Sequence, residues 1–408
     1  MSKTLAPKRI LTIGLLWHSY FSGNLGVSAL SIGNMTIIRD AAREHGIACK
    51  FILFGPRGDY AFPQPDGFGD IDYVEASSFS KMSSLRSRLS ACDLVFDIGS
   101  GDSFADIYGL RRFAKIAGLK FLVPNSRNRL VISPQTLGPF ANPLLRRVAT
   151  KAMQRSRLIM ARDKPSLERA RALVGPTTAK RLHLSTDVAF AMQPLDHWPD
   201  SFPDLNSGIN HVGLNVSGLL FHGGYSGDNQ FGLSVDYADL IRSFIETAKD
   251  RTDLQLWLVP HVYSLTGDGM ESDLQVARSL AEEYDHVRIA PVFKSAPEAK
   301  TFIARMNIVY SARMHAAIAA VSSGVACLPL SYSVKFKGLF AQLGYNHLVD
   351  LKAGDTQSAL TEMTDALSQV DAMTNDARQA SANAVGILDR YRGEVDRLFA
   401  SFGKSGQA

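Results

Sequence analysis

Residues 308–338, IVYSARMHAAIAAVSSGVACLPLSYSVKFKG, read as an apolar strand, a helix of small residues and a second apolar strand. Two short apolar runs joined by a helical segment form the unit of a parallel sheet. The first run ends in Arg313-Met314-His315, which opens the helix. The second ends in Ser331-Tyr332, with Lys335 and Lys337 just beyond. A guanidinium, an imidazole and two ammonium groups therefore gather around one helix N-terminus, which already presents free N–H groups and a partial positive charge. No Asp or Glu occurs between Ile308 and His347. Such a donor-rich stretch suits a small, highly charged anion, although an Arg at a strand end is also commonly just a surface charge.

The same alternation runs outward in both directions. Apolar runs over 10–16, 49–54, 93–98, 130–133 and 158–161 read as strands, with a helix over 28–45 and further helices between the later runs. Residues 57–70 form a loop rich in Gly, Pro and aromatics, long enough to suggest function. Residues 193–208, QPLDHWPDSFPDLNSG, hold three prolines and no apolar period, and read as a linker. The pattern then restarts with strands at 211–215 and 254–259, helices at 235–249 and 271–284, and strands near Val287, Ile308 and Val325. The expected architecture is α/β, with two doubly wound, Rossmann-like parallel-sheet domains facing a cleft. Residues 1–194 form the first domain, 195–208 the linker, 209–355 the second domain and 356–408 a helical tail.

The chain has 408 residues, a net charge of +5, 46% hydrophobic and 20% charged residues, as expected for a globular protein of two domains. No basic stripe with nucleic-acid motifs is present, so no nucleic-acid partner is expected. Basic residues do crowd the first half from Lys81 to Arg157, against only Asp93, Asp97, Asp102 and Asp106. They read as solvated helix faces, or as attraction to an anionic membrane surface or a lipid-diphosphate acceptor. Cys49, Cys92 and Cys327 lack disulfide or metal spacing and read as buried free thiols of a reducing compartment. The start, MSKTLAPKRILTIGLLWHSYF, imitates a signal peptide. His18 interrupts the apolar run, and a first strand explains it better. No segment reaches spanning length. The expected location is cytoplasmic, with peripheral contact at the inner membrane face as the most intimate membrane association.

Seven segments in order resemble the polysaccharide pyruvyl transferase family. They are SGNLGVSALSIGNM, DLVFDIGSGDSFAD, VISPQTLGPF, MARDKPSLERA, STDVAF, LVPHV and the Arg-x-His segment with its Ser-Tyr-x-x-Lys turn. The resemblance covers about residues 10 to 350. Where family members often carry Asp after the Gly of the first loop, this chain has Val27, and its Gly-rich turn reads GSGDS. The resemblance implies an architecture similar to the GT-B glycosyltransferases. It also implies transfer of pyruvate from phosphoenolpyruvate, as a ketal, onto sugar hydroxyls of a bacterial exopolysaccharide or cell-surface glycan. The implied partners are phosphoenolpyruvate as co-substrate and a saccharide acceptor, lipid-linked acceptors included, with no metal and no other cofactor.

Carried onto this sequence, the family's donor-binding positions fall on Arg162, Arg313, Met314, His315 and Lys335. Arginine suits phosphate and carboxylate because its planar fork matches both. Ketal formation needs a proton donor, and His315 beside Arg313 is the candidate, with a simple phosphate hydrogen bond as its other reading. On the acceptor side the candidates are Asn24, Asp97, Asp102, Asp106 and His261, with Asp187 carrying similar weight. An Asp beside a Gly-rich turn also serves commonly as a turn or capping residue. Two rival readings stand beside this one: a nucleotide-sugar glycosyltransferase of GT-B type, and a catalytically inactive scaffold of a polysaccharide assembly complex. The acid-free stretch weighs against the first, and the retained Arg162, Arg313 and His315 weigh against the second.

Overall fold

The structure, a computed structural model, describes residues 9–404 apart from 57, 59, 61, 77–81, 206–207 and 265–268. Three positions of the 57–70 loop thus lie outside the described residues. The first half contains β1 (Arg9–Leu16), α1 (Leu25–Glu44), β2 (Ile47–Gly55), β3 (Ile71–Glu75), α2 (Met82–Ser90), β4 (Leu94–Asp97) and α3 (Leu110–Leu122). It continues with β5 (Leu130–Gln135), α4 (Pro143–Gln154), β6 (Leu158–Ala161), α5 (Lys164–Leu173), α6 (Pro176–Ala179) and β7 (Leu182–Leu184). The second half contains β8 (Asn210–Asn215), α7 (Gly218–Phe221), α8 (Tyr237–Thr247), β9 (Leu254–Leu258), α9 (Asp273–Glu283), β10 (Arg288–Ile289) and α10 (Ala296–Ile303). After these come β11 (Ile308–Ser311), α11 (Met314–Ser322), β12 (Ala326–Ser331), α12 (Val334–Gln342), β13 (Val349–Asp350), α13 (Thr356–Ala366) and α14 (Val370–Lys404).

Among the described residues these strands make a seven-stranded sheet, β3-β2-β1-β4-β5-β6-β7, and a six-stranded sheet, β10-β9-β8-β11-β12-β13. All strand pairings within the two sheets, among the described residues, are parallel. Parallel strands are covered on both faces, so their sequences are near-continuous apolar runs such as the LTIGLL of β1. Strand order reverses between β1 and β4 in one sheet and between β8 and β11 in the other. Ligand crevices of open α/β sheets form beyond the strand ends at such switch points. The loops after β1, β4, β8 and β11 are therefore the ones the topology aims at a shared cleft.

Helix α14 crosses from the second half to the first. Its buried residues Ala377, Ala380, Ala384, Leu388, Tyr391, Val395 and Leu398 recur every three or four positions, a continuous apolar stripe. The stripe packs with Met35, Ile37 and Ile38 of α1 in one core. At its centre the Tyr391 hydroxyl donates to Asn34 Oδ1 at 2.8 Å and lies 3.0 Å from Ser133 Oγ. Asn34 in turn meets His18 Nε2 at 2.8 Å. Buried polar atoms need partners, and here each finds one across the two halves. No helix among the described residues is long and apolar enough to cross a membrane. Cys92 and Cys327 are buried, whereas Cys49 is half-buried, less enclosed than its apolar setting suggests.

Candidate functional site

A cavity of about 700 Å³ opens between the carboxyl ends of the two sheets. Asn24, Asp102, Arg162, His261, Arg313, Met314, His315 and Lys335 all line it, so eight of the eleven candidate residues converge. Lys337, Asp350, Lys352, Tyr108, Tyr225 and Phe231 complete much of the wall. Helices α11 and α12 both begin here, and neither has a side-chain cap, so their leading N–H groups face the cavity unclaimed by a capping residue.

The two halves meet across the floor. Arg162, just past β6, donates through Nη1 to Asp187 at 3.0 Å, and Asp187 is fully buried. His315, the second residue of α11, sets its Nε2 3.7 Å from the same carboxylate. That distance is too long for a hydrogen bond. His315 Nε2 is itself buried and lacks a hydrogen-bond partner among the described residues. Burial alone would raise the Asp187 carboxyl. The His315 imidazole, the Arg162 guanidinium and the Ala189 N–H outweigh it and hold the carboxyl at about 2, below the usual 3.8. Asp187 also caps the short turn that follows, accepting from Ala189 N–H at 2.9 Å.

The first loop supports this arrangement. Asn24 caps α1 by accepting from Gly26 N–H at 3.0 Å, and pairs with Val262 in an isolated antiparallel bridge. A side chain at Gly26 would run into the His315 ring, so this position admits only glycine while the imidazole keeps its place. His261, at the end of the bridging Val-Pro-His segment, is buried, with its ring unpartnered among the described residues. Burial, His315 and Arg313 depress its pKa to about 3, so it stands neutral at physiological pH and can accept a hydrogen bond.

Arg313 corrects the expectation of a donor-rich site without counter-charge. Its Nη2 donates to Asp273 Oδ1 at 2.8 Å and to Glu271 O at 3.0 Å, and its Nε reaches both Asp273 oxygens at 3.2 and 3.3 Å. The fork expected to grip an anion is already engaged. Asp273, buried at the start of α9, also accepts from the N–H groups of Gly218, His261 and Val262 and from Asn215 Nδ2. Lys335 likewise pairs with Asp102, which the Tyr108 hydroxyl also contacts at 2.7 Å, and Lys337 pairs with Asp350. The stretch from Ile308 to His347 is acid-free, yet each of these acids arrives from a different element. Lys352 lines the cavity and forms no ion pair with a described residue. Counting Arg162, Arg313, Lys335, Lys337 and Lys352 against Asp102, Asp187, Asp273 and Asp350, the cations retain an excess of one before His315 is considered.

Besides Asp187, which lies buried behind the wall, two acceptor-side candidates are not in the cavity. Asp97 alternates with Phe96 and so shares a sheet face with Val95, beneath α3. There it is fully buried, 2.9 Å from the equally buried Lys120 Nζ and 2.9 Å from Gln135 Nε2. Asp106 accepts from Asn142 N–H at 2.8 Å and serves to tie two loops together. Both are structural carboxylates. Conversely, Asp273, Tyr108, Asp350 and Lys352 were missed. Asp273 carried one local signal, a Ser-Asp helix start after LVPHV, but nothing local revealed its partner. Among the described residues no group of three or more His, Cys, Asp or Glu is arranged to hold a metal ion.

The family profile for polysaccharide pyruvyl transferase matches residues 32–334. The chain belongs to this family. No curated protein matches the chain. Solved structures similar in fold include UDP-GlcNAc 2-epimerase from Neisseria meningitidis bound to UDP-GlcNAc, at 12% identity and TM-score 0.56, covering 95% of this chain and 99% of that one. A putative UDP-N-acetylglucosamine 2-epimerase from Listeria monocytogenes aligns at 11% identity and TM-score 0.57, covering 95% and 97%. Sucrose-phosphate synthase from Thermosynechococcus elongatus aligns at 10% identity and TM-score 0.53, covering 97% and 100%. The fold is thus that of GT-B glycosyltransferases and the related epimerases, as the resemblance implies, and its two parallel sheets are those the alternating strands predict.

Proposed function

We propose that this family member transfers pyruvate from phosphoenolpyruvate, as a ketal, onto two hydroxyls of a sugar during assembly of a bacterial surface glycan. The observation that carries the reading is His315 Nε2: buried, free of hydrogen bonds, and set between the Arg162–Asp187 pair and the open start of α11. The excess of cations and the two uncapped helix starts support an anionic donor there. Arg162 has N–H groups to spare beyond its one bond to Asp187, and Lys352 and the α12 terminus lie across the cavity.

The chemistry assigns these groups distinct roles. The enol-ether methylene takes a proton, for which His315 is the candidate donor, and C2 becomes cationic. One sugar hydroxyl adds to C2 and loses its proton, and the C2–O bond to phosphate breaks. The second hydroxyl then adds to C2 and closes the ketal. Of the two hydroxyl protons, one balances the new methyl group and the other leaves with phosphate. Asp187, held ionised by its neighbours, sets a negative charge 3.7 Å from His315 Nε2 and so orients the ring. Asn24, Asp102 and His261 are the acceptor-side groups on the cavity wall.

Thermal-shift measurement tests the donor directly. Phosphoenolpyruvate at a hundredfold excess over its dissociation constant should stabilise the protein by about 2.7 kcal/mol. UDP-GlcNAc and GDP-mannose should give no comparable shift. A larger shift with either nucleotide sugar overturns the donor assignment.

A further inference from the structure

At one rim of the cavity the starts of α3 and α4 lie side by side. Asp106 fastens them: its carboxylate takes Asn142 N–H, and its own N–H bonds Pro139 O at 3.1 Å. The Phe104 and Phe140 rings pack beneath at 5.3 Å. On top, Ile107, Leu110 and Leu144 are 54%, 65% and 65% exposed. A lone exposed Leu needs no explanation, but three large aliphatic side chains on two tied loops form a patch.

Apart from Asp106, which is taken up by Asn142 N–H, the charged residues that the sequence supplies to this patch are cationic. No Asp or Glu occurs between Asp106 and Asp163. Arg111, Arg146, Arg147 and Lys151 are exposed and have no ion pair with a described residue. Arg111 stands in the first turn of α3, and Arg146 and Arg147 follow directly on the first turn of α4. Neither helix has an acid in its first turn. Cations near a helix N-terminus are repelled by the macrodipole. The fold therefore concentrates positive charge where its own backbone opposes it and gives these four cations no ion-pair partner among the described residues.

We infer that this rim docks onto an anionic lipid bilayer, with Leu110 and Leu144 entering the headgroup layer and the arginines resting on lipid phosphates. Aliphatic side chains ringed by arginine and lysine match the apolar boundary and negative surface of such a membrane. A second copy of this chain fits poorly, because a two-fold contact would bring the same uncompensated cations face to face. Ile107 and Tyr108 belong to both the rim and the cavity wall, so a bound bilayer would lie beside the cavity mouth. A lipid-linked saccharide would then reach the site by diffusing within the membrane plane. That benefit rests on the proposed function; the docking itself does not.

Vesicle flotation tests it. The parent protein should float with vesicles containing phosphatidylglycerol, bind pure phosphatidylcholine vesicles at least about tenfold more weakly, and be released by salt. The double variants Leu110→Glu/Leu144→Glu and Arg111→Glu/Arg147→Glu should each lower the affinity at least about tenfold. Their circular dichroism and their thermal shift with phosphoenolpyruvate in free solution should stay at the parent values, which separates loss of docking from misfolding and from failure of the donor assignment. The inference is overturned if the parent does not float, if either variant floats as the parent does, or if sedimentation shows a parental dimer that Leu110→Glu/Leu144→Glu splits.

Discussion

Replacing Asp187 by Asn should both destabilise the protein and make it depend more strongly on its donor. The substitution is nearly isosteric, and an Asn oxygen can still accept from Ala189 N–H, so the change removes charge and little else. At 3.0 Å and an effective dielectric constant of about 20, the gross attraction between Asp187 and Arg162 is about 5–6 kcal/mol. The fall of the carboxyl pKa from 3.8 to about 2, after burial has been opposed, corresponds to roughly 2–3 kcal/mol in favour of the charged form. Removing one partner also leaves Arg162, which is only 4% exposed, as an uncompensated buried charge, a loss typically of about 3–5 kcal/mol. Urea unfolding at pH 7, followed by tryptophan fluorescence, should therefore show a loss of about 3–5 kcal/mol for Asp187→Asn. The sign with pH follows from the depressed carboxyl: its contribution is fully present above 3.8 and disappears as pH falls through about 2, so pH 7 reads all of it. An anion bound at Arg162 would restore the missing counter-charge. Phosphoenolpyruvate should consequently stabilise Asp187→Asn more than the parent. A variant as stable as the parent, or one that phosphoenolpyruvate stabilises less, refutes the reasoning.

Further outcomes follow from other contacts. His315→Gln keeps a hydrogen-bond donor but cannot relay a proton near neutral pH; turnover should drop by roughly 10²–10⁴ with little change in donor affinity, and parental turnover would remove His315 from proton transfer. Lys120→Met leaves Asp97 charged in a dry core and should cost about 3–5 kcal/mol, much of it regained in Asp97→Asn/Lys120→Met; a double variant no better than the single one would show that the pair does not act as a unit. His18 and His261 are both held near a pKa of about 3, with burial the main cause. Because the unfolded chain takes up these protons first, stability should be full above pH 6.5 and fall as pH drops toward 3, by up to about 1.4 kcal/mol per pH unit for each. Chemical denaturation at pH 7, 6 and 5 should show the decline, and a flat profile would mean that the two rings are not kept neutral.

The parallel strands were legible because burial on both faces leaves an unbroken apolar run, as in β1, β6 and β11. Strand β3 was not, since it lies at the sheet edge and is only partly buried, which leaves its sequence no sharp pattern. Arg162, Arg313, His315 and Lys335 could be gathered into one site because each follows a strand end that the topology aims at the cleft. Their acids could not be matched to them. Asp187, Asp273 and Asp102 come from other elements, 25 to 233 positions away, and no local period encodes such a pairing. Asp97 shows the converse error. It stands before a Gly-rich turn, as a site residue would, but its place in the two-residue strand alternation turns it toward Lys120 and the core.

The crossing of α14 also bears on how the chain comes into being. Synthesis finishes the seventh strand of the first sheet at Leu184, yet Ser133 and Tyr391 are separated by 258 positions. Until Tyr391 leaves the ribosome, Asn34 keeps its bonds to His18 and Ser133 but its Oδ1 lacks a donor, and Met35, Ile37 and Ile38 lack the stripe that covers them. Each polar group left unpaired in a closed interior would cost about 1–3 kcal/mol. The first half therefore lacks one cover and one buried hydrogen-bond partner until the last helix is made. The order of translation and the order of folding part company: the first sheet is synthesised whole, but its last covering helix arrives some two hundred positions later.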